Sequence, residues 1–479
     1  MTEAALKRRA APFTTLAAAL AALSAVSIAG CMSFIPAYDR PVAPVAPAYA
    51  PELLPMGAAG AEAAAEIEWQ RYFADARLKR LIETALANNR DLRVALLNIE
   101  QARAAYQVKR ADELPTLGGG VTAQRQAGAG GGLVNSYAVG LQATGFELDF
   151  FGRVRSLSQA ALAQFLATDE ARKTVQITLV AAVANTYIGL LADDELLRVT
   201  RDALKTREES FRLTKLKFDY GAASELDFRQ AEQLLEGARA TLALTQRQRA
   251  LDENALVLLL GQSLPPELPP ASAMAAQQAL GDLPAGLPSD LLTRRPDVRA
   301  AEQQMLAANA NIGAARAAMF PRISLTANAG TASSQLSGLF KSGSFALTGS
   351  ATLLQPIFDA GRNRANLEVS KVNKEIAIAQ YEKAIQTAFR EVSDALAGRA
   401  TLGEQLRAQA AQTNAAQVTY RLADLRYRNG ASSYLEVLDA PRTLFAAQQS
   451  TVQVQALQVQ NLVTLYKVLG GGWKDGIAN

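Results

Sequence analysis

The fold is decided by two related stretches of sequence, FELDFFGR at residues 146–153 and QPIFDAGR at residues 355–362. Both belong to a longer internal repeat. Three pairs of glycines are separated by the same 209 residues, namely Gly152 and Gly361, Gly221 and Gly430, and Gly261 and Gly470. Upstream of these landmarks the offset is 206, as between Asp91 and Asp297. A fixed offset over most of the chain indicates one elongated structure built from two similar halves.

The composition argues against most classes of enzyme and against a nucleic-acid partner. The 479 residues include no histidine, which is the commonest general base and metal ligand. The only cysteine is Cys31, so no intramolecular disulfide can form. The net charge is +4, and Lys and Arg are dispersed instead of forming the clustered basic face that nucleic-acid binding requires. We therefore expect no enzymatic activity, no bound metal and no cofactor.

Residues 1–30 have the pattern of a signal peptide. A positive start at Lys7, Arg8 and Arg9 precedes an apolar stretch that ends in small residues before Cys31. This ending resembles a bacterial lipobox, which implies that Cys31 becomes the diacylated N-terminus of a lipoprotein. No aspartate follows the cysteine to favour retention in the inner membrane, so the lipoprotein rule implies the outer membrane. The alternative is an uncleaved membrane anchor, because the apolar stretch is nearly long enough to span a bilayer.

Two segments, 114–150 and 319–358, change from helical periodicity to an alternation of apolar with small or polar residues, whose phase shifts at Gly145 in the first segment. In the second segment Phe345, Leu347 and Leu353 alternate with small or polar residues. Strands of about ten residues with one apolar and one polar face are typical of an outer-membrane barrel wall. The alternative is a pair of soluble hairpins.

Four strands in one chain cannot close a membrane barrel, since the smallest bacterial barrels have about eight. An open sheet edge in lipid would leave its N–H and C=O groups without partners. Three copies would supply twelve strands and a symmetric ring. The predicted fold class is therefore an α+β membrane protein, a trimeric twelve-stranded transmembrane β-barrel continued by a long periplasmic α-helical coiled-coil barrel.

Two proline-free runs of 68 residues, 153–220 and 362–429, predict very long helices. At about 1.5 Å per residue each would span roughly 100 Å. Four shorter helical segments, laid end to end in pairs, would match these lengths: 91–113 with 225–260, and 297–318 with 432–469. Ala- and Gln-rich helices with narrow apolar stripes fit curved coiled-coil packing around a wet interior.

The complete predicted organisation consists of segments that alternate between helix and strand. In order they are a signal peptide (1–30), a lipid-anchored extended segment (31–61), an equatorial helix (62–90), a tunnel helix (91–113), barrel strands (114–150), tunnel helices of the first repeat (151–261), an equatorial connector (262–296), a tunnel helix (297–318), barrel strands (319–358), tunnel helices of the second repeat (359–469) and a C-terminal tail (470–479).

Five motifs occur in a fixed order along nearly all of the mature chain. They are PAYDRP at residues 36–41, FELDFFGR at 146–153, LPSDLLTRRPDV at 287–298, FPRI at 320–323 and QPIFDAGR at 355–362. Together they resemble the TolC/NodT-type outer-membrane efflux protein family. This resemblance implies a homotrimer that acts as the passive exit duct of a tripartite pump for drugs or other small toxic compounds. Its implied partners are a periplasmic adaptor and an inner-membrane transporter, with the resistance-nodulation-division type favoured.

Two glycine turns follow the long helices, at the ends farthest from the predicted strands. This position predicts the periplasmic tip of the molecule. Glycine ends a helix in the left-handed conformation and serine caps the next helix, so both turns have a structural role. The resemblance implies that the same turns also dock the adaptor. The candidate docking residues are Gly221, Ala222, Ser224, Gly430, Ala431 and Ser433.

Glu436 and Asp439 stand three residues apart and share one face of the helix after the second turn. In a trimer they would form two rings of carboxylates that narrow the periplasmic aperture and attract cations. A simpler role is open for Glu436, since its spacing from Ser433 is that of a capping box. Ser224 and Asp227 have the same spacing in the first repeat. The resemblance adds Asp227 and Tyr427 as candidates for polar contacts that hold the aperture closed.

Other functions share parts of this pattern. Ducts for metal efflux or type I protein secretion have the same architecture, and the exported substrate is selected by the pump partner. A periplasmic coiled-coil scaffold without a pore would explain the helices but not the alternating strands.

Overall fold

The computed structural model describes residues 33–53, 63–127, 131–274, 283, 290, 294–429, 431 and 434–473. The helices are α1 Trp69–Tyr72, α2 Ala76–Asn88, α3 Arg90–Ala111, α4 Arg153–Asp219, α5 Glu225–Leu260, α6 Pro296–Ala317, α7 Arg362–Arg428 and α8 Tyr434–Val468. The strands are β1 Leu117–Ala127, β2 Leu133–Leu148, β3 Arg322–Ser333 and β4 Phe345–Leu354. The predicted signal peptide and Cys31 lie outside the described residues.

The two halves of the chain have the same order of elements and nearly the same element lengths. Helices α4 and α7 contain 67 residues each, where the sequence predicts 68. Helices α5 and α8 contain 36 and 35 residues, and α3 and α6 contain 22 each. The internal repeat is therefore a repeat of structure.

Just before each 67-residue helix, an aspartate from the two motifs that decide the fold accepts a hydrogen bond from a backbone N–H of the first turn. Asp149 accepts a hydrogen bond from the backbone N–H of Arg155 at 2.8 Å, and Asp359 accepts one from Asn363 at 2.9 Å. A carboxylate at this position satisfies N–H groups that have no partner within the helix and interacts favourably with the helix dipole.

The segment before α3 differs from the single equatorial helix predicted at residues 62–90. The chain leaves the helical conformation at residues 73–75, so α1 and α2 are separate helices. Asp75 is the N-cap of α2 and accepts a hydrogen bond from Leu78 N at 3.0 Å. Its second carboxylate oxygen accepts a hydrogen bond from the buried Tyr187 hydroxyl at 3.2 Å. The spacing of apolar residues predicted one helix, because this spacing gives no information about the cap formed by Asp75.

The strands form one antiparallel sheet in the order β1-β2-β3-β4, so the prediction of four strands per chain is confirmed. The β2–β3 register shifts between Ala143 and Phe146, around Gly145, which has a φ of 66°. The alternation in the sequence changes phase at the same glycine, because one extra residue moves the following side chains to the other face.

The chain divides into two compact units, each with its own packing. The first contains the sheet and includes the described parts of 1–42, Asn98–Thr168 and Ala300–Tyr381. The second includes the described parts of Ala43–Leu97, Asp169–Arg299 and 382–479. Its largest side chains with 2% exposure or less are Trp69, Phe73, Tyr187 and Tyr466.

An 18-residue stretch of α4 is apolar enough, with a mean hydropathy of 1.7, to cross a membrane by composition. It is the one such stretch in the part of the chain that the structure describes, and 61% of it is buried. We interpret it as a packed core helix.

Candidate functional site

The sheet separates apolar from polar side chains between its two faces. Residues directly opposite each other in the register share a face. One face carries large apolar side chains that are 61–78% exposed in a single chain: Leu117, Val121, Leu141, Phe345, Leu347 and Leu353. The opposite face carries Thr122, Gln124, Gln142, Asn328, Thr348 and Thr352. Such an apolar face is suited to lipid and such a polar face to water.

The polar face also contains a close approach between two strands. Gly140 and Gly330 are register partners in β2 and β3. A Cβ atom on Gly140 would lie 2.7 Å from the Gly330 Cα. Any larger residue would force the strands apart, so these glycines fix the local shape of the sheet.

Glu147 ties the end of β2 to the start of α4. Its two carboxylate oxygens accept hydrogen bonds from Arg153 Nε at 2.8 Å and from a terminal nitrogen of Arg153 at 2.6 Å. Arg322 Nε, at the start of β3, lies 3.4 Å from the same carboxylate. Glu147 is 15% exposed and Arg153 is 28% exposed, so this bidentate pair is sheltered from water.

The segment that follows the predicted lipidation site is held against the first unit. Phe34 stacks on Phe320 with ring centroids 4.7 Å apart, and Phe320 stacks on Phe151 at 4.9 Å. Further along this segment, Arg40 Nε donates to Glu302 at 2.8 Å. The sequence predicted an extended tether here but not these contacts.

The first glycine turn ends α4 with a Schellman arrangement. Gly221 has a φ of 72°, and its N–H donates to the Phe218 carbonyl at 2.9 Å. Ala222 N donates to the Lys217 carbonyl at 2.7 Å. Both bonds satisfy carbonyls that the helix leaves free, and glycine is required by the positive φ.

Ser224 and Asp227 form the capping box that their spacing predicted. Asp227 N donates to Ser224 Oγ at 3.1 Å, and Ser224 N donates to Asp227 Oδ2 at 3.2 Å. The Asp227 carboxylate therefore stabilises the start of α5 within its own chain.

In the second turn, Ala431 N donates to the Arg426 carbonyl at 2.8 Å, the counterpart of the Ala222 bond. Tyr427 Oη accepts a hydrogen bond from Lys217 Nζ at 2.9 Å, and this nitrogen lies 4.5 Å from the tyrosine ring centroid. This contact connects the end of α7 to the end of α4. The docking candidates Gly430 and Ser433 lie outside the described residues.

Of the two predicted aperture carboxylates, Asp439 is described. Its Oδ1 lies 2.7 Å from a terminal nitrogen of Arg442, and its side chain is 58% exposed. Glu436 belongs to α8, but its side chain lies outside the described part. The structure of one chain thus places Asp227, Tyr427 and Asp439 near helix ends, where Asp227 contacts Ser224, Tyr427 contacts Lys217 and Asp439 contacts Arg442.

Two buried polar anchors were missed by the sequence analysis. Asn89 Nδ2 donates to the Leu259 carbonyl at 2.9 Å, and a terminal nitrogen of Arg295 donates to the Val468 carbonyl at 3.1 Å. These pairs occupy equivalent positions, because the donors differ by 206 residues and the acceptors by 209. The equivalence of Asn89 and Arg295 in the internal repeat is the sequence signal that indicates these two anchors.

Comparison with known proteins identifies the chain. The sequence profile described as "Outer membrane efflux protein" matches residues 81–262 and 287–471, more than half of the chain. The chain is 48% identical to the solvent efflux pump outer membrane protein SrpC of Pseudomonas putida, over 93% of this chain and 96% of SrpC. It is 44% identical to the outer membrane protein OprJ of Pseudomonas aeruginosa, over 95% and 96%.

Solved structures agree with these sequence relationships. The open state of the Neisseria gonorrhoeae MtrE outer membrane channel is 40% identical, with a TM-score of 0.84 over 92% of this chain and 99% of MtrE. A CusC structure described in terms of folding and transmembrane channel formation is 38% identical, with a TM-score of 0.81 over 92% and 100%. The resemblance and the fold class predicted from the sequence are confirmed: the chain belongs to the outer membrane efflux protein family.

Proposed function

We propose that three copies of this chain form the outer-membrane duct of a tripartite efflux pump. The observation that carries the proposal is the four-stranded sheet, whose outer strands β1 and β4 each pair with one neighbour among the described residues. A β4-to-β1 pairing between copies would satisfy both edges and close a twelve-stranded barrel. The exposed apolar face would then contact lipid, and the polar face would line the pore.

The duct has no catalytic step in this proposal. A periplasmic adaptor connects it to an inner-membrane transporter, which supplies the energy. The relatives SrpC and ArpC are described as outer membrane proteins of a solvent and an antibiotic efflux pump, which supports small organic toxic compounds as the cargo. Cys31 carries the lipid that anchors the N-terminus to the outer membrane.

Two arginine substitutions in β4 test which face of the sheet contacts lipid and which lines the pore. Leu347, 72% exposed, is on the apolar face, and its neighbour Thr348 is on the polar face. Leu347→Arg should strongly reduce the number of trimers recovered from the outer membrane, since arginine at mid-membrane on the lipid face costs about 2–4 kcal/mol. Thr348→Arg should assemble normally and shift the ion selectivity of single channels in planar bilayers. Equal recovery of the two variants would contradict the assignment of faces.

Adaptor docking at the two glycine turns is the second part of the proposal. Its support is that the described residues Gly221, Ala222, Asn429 and Ala431, which lie between a long helix and its partner helix, are exposed. Gly430→Trp should abolish drug export while trimers remain in the membrane. Gly237→Trp is the matched control, because Gly237 is exposed on α5 and a Cβ there would meet no atom within 4 Å. Normal export by the Gly430 variant would exclude docking at this turn.

The third part of the proposal concerns the periplasmic aperture. Carboxylates of Glu436 and Asp439 from three copies of the chain restrict it. Asp439→Ala should raise passive leakage of large antibiotics through the trimer, and Glu436→Gln should add to it. For Asp227 the matched substitution is glutamine, which removes the charge but keeps a residue that capping boxes accept. Unchanged leakage in Asp439→Ala would show that this carboxylate, paired here with Arg442, does not restrict the aperture.

A further inference from the structure

A cavity of about 400 Å³ lies among four helices of the second unit, α4, α5, α7 and α8. This volume is within the range of small-molecule sites. Its wall reaches Tyr427, the residue before the end of α7. Each of the four helices contributes side chains, which include Arg207, Leu213, Leu234, Tyr420, Leu444 and Phe445.

Part of the cavity lining is apolar and firmly packed. Leu444 is 8% exposed and belongs to a buried cluster with Ala416 and Ala447, against which Tyr420 packs. Leu213 and Phe445 add to the apolar lining of the cavity. The surface suits the flat or branched hydrocarbon part of a ligand.

The cavity is also lined by a cation, Arg207. Arg207 is half-buried, and burial followed by the charge of Arg442 lowers the pKa of its guanidinium. No carboxylate pairs with Arg207 in the part of the chain that the structure describes. A half-buried guanidinium in this state gains free energy when an anion supplies the missing hydrogen bonds.

Three carboxylates also line the cavity, and they differ in their exposure and in their existing partners. Asp202 lies 2.9 Å from Arg198 and is 68% exposed, so it is already paired and hydrated. Glu209 is exposed, and Asp424 already makes an interaction of its own. None of these three carboxylates pairs with Arg207 in the described part of the chain.

We propose that this cavity binds a small amphipathic organic anion, an aromatic or aliphatic carboxylate or sulfonate. Its acidic group pairs with Arg207, and its apolar part lies against Leu213, Leu444 and Phe445. Because the walls belong to both helix pairs, α4/α5 and α7/α8, a bound anion links them and resists their separation. The effect on the channel rests on the proposed function, but the binding itself does not.

Binding is measured with the full-length protein in lipid nanodiscs and dansylglycine, a fluorescent aromatic carboxylate. Wild type should give a saturable, blue-shifted emission. Arg207→Gln should weaken the affinity by about tenfold or more, because it removes a charged hydrogen bond. Arg201→Gln is the matched control, since it removes an exposed positive charge from the same helix outside the cavity. Ser210→Trp fills the cavity and should abolish binding.

The proposal is overturned if wild type shows no saturable signal, or if Arg207→Gln and Arg201→Gln bind equally. Each variant is first checked for trimer formation and helical content. In planar bilayers, saturating dansylglycine on the side of the helices should lower the conductance of wild type and Arg201→Gln, but not of Arg207→Gln. Binding without any change in wild-type conductance would overturn the link between the helix pairs. Channels that never conduct would contradict the proposed function and leave the binding result standing.

Discussion

The two repeats hold equivalent helices together with different polar side chains. In each, a polar side chain just before a tunnel helix donates to a carbonyl near the end of the following helix pair. The first repeat uses the neutral Asn89, which is 6% exposed, and the second uses the charged Arg295, which is 7% exposed. Asn89 is satisfied by Leu259 O and by Leu92 N, which donates to Asn89 Oδ1 at 2.9 Å.

Arg295 needs more partners than Asn89 because it carries a charge. It pairs with Asp297 at 2.6 Å and with Glu391 at 2.8 Å, in addition to its bond to Val468. The position equivalent to Glu391 in the first repeat, 209 residues earlier, is Ala182. A duplicated backbone can therefore keep one hydrogen bond while its side chains diverge, provided that each buried charge gains compensating partners.

The largest effect is expected at the glycines that end α5 and α8. Gly261 and Gly470 both have positive φ, 69° and 87°. A Cβ on Gly261 would lie 2.8 Å from the Asn88 carbonyl carbon, whereas one on Gly470 would approach Arg294 O at 3.1 Å. Gly261→Ala should cost about 4 kcal/mol and Gly470→Ala about 2 kcal/mol of unfolding free energy, from left-handed strain plus overpacking.

Urea unfolding followed by circular dichroism compares the two alanine variants directly. Replacing Gly237, which is exposed in mid-helix, by alanine controls for helix propensity. Equal losses at Gly261 and Gly470 would show that backbone strain, which the two share, outweighs the steric contact that distinguishes them.

A swap of the anchors should have the next largest effect. Arg295→Asn places the residue of the first repeat in the second, where the shorter side chain cannot bridge Asp297, Glu391 and the Val468 carbonyl. Loss of one partner of a buried ion pair should cost about 3 kcal/mol. Asn89→Ala should cost about 1–2 kcal/mol, since it leaves neutral groups unpaired. Midpoints of urea unfolding measure both, and a smaller loss for Arg295→Asn would contradict the stated difference.

A pH dependence should belong to the first repeat alone. Burial, a hydrogen bond to Asp252 and the nearby charges of Asp252 and Asp194 raise the pKa of Asp193 to about 7, against the opposing charge of Arg249. Asp193 is 6% exposed. The equivalents of Asp193 and Asp252 in the second repeat are Leu402 and Asn461, which do not titrate.

The native state holds this proton up to about pH 7, whereas the unfolded chain releases it near pH 4. The stabilisation is therefore complete below about pH 4 and is lost as the pH rises to about 7. Asp193→Asn mimics the protonated carboxyl, so it should match wild type below about pH 4 and exceed it by more than about 1 kcal/mol at about pH 8. Asp394→Asn, which removes an exposed carboxylate from the second repeat, is the matched control. Parallel profiles for wild type and Asp193→Asn would refute the assignment.

The hydrophobic periodicity, together with the glycine and capping residues that end helices and strands, was sufficient to predict the long helices and the strands. The start of α4 at Arg153 and the end of α5 at Leu260 follow from glycine and from aspartate or serine caps in the local sequence. The break at residues 73–75 was missed. Asp75 caps α2 through Leu78 N, but its second hydrogen bond comes from Tyr187, 112 positions away, which the local pattern does not indicate.

The candidate site was predicted less completely than the fold. The capping box of Ser224 and Asp227 depends on local spacing, so the sequence was enough to identify it. The Lys217–Tyr427 contact joins residues 210 positions apart, and nothing in either helix alone indicates it. A ring of Asp439 carboxylates depends on other copies of the chain and stays a prediction.

The smallest effect, with opposite signs in the two repeats, is expected at Gly189 and Gly398. These helical glycines are 209 residues apart and equivalent. A Cβ on Gly189 would have its nearest neighbour, Gln460 Nε2, at 3.9 Å, so Gly189→Ala should gain about 0.5–1 kcal/mol from helix propensity. A Cβ on Gly398 would lie 2.7 Å from Asn461 Cγ.

Gly398→Ala must therefore displace Asn461, whose amide donates to the Ala395 carbonyl at 2.9 Å. Loss of this bond and local overpacking should outweigh the gain in propensity, for a net cost of about 1 kcal/mol. The double variant Gly398→Ala with Asn461→Ala should recover part of this loss, because the clash then disappears. If Gly398→Ala is instead as stabilising as Gly189→Ala, Asn461 moves freely, and the two repeats are packed alike at this level.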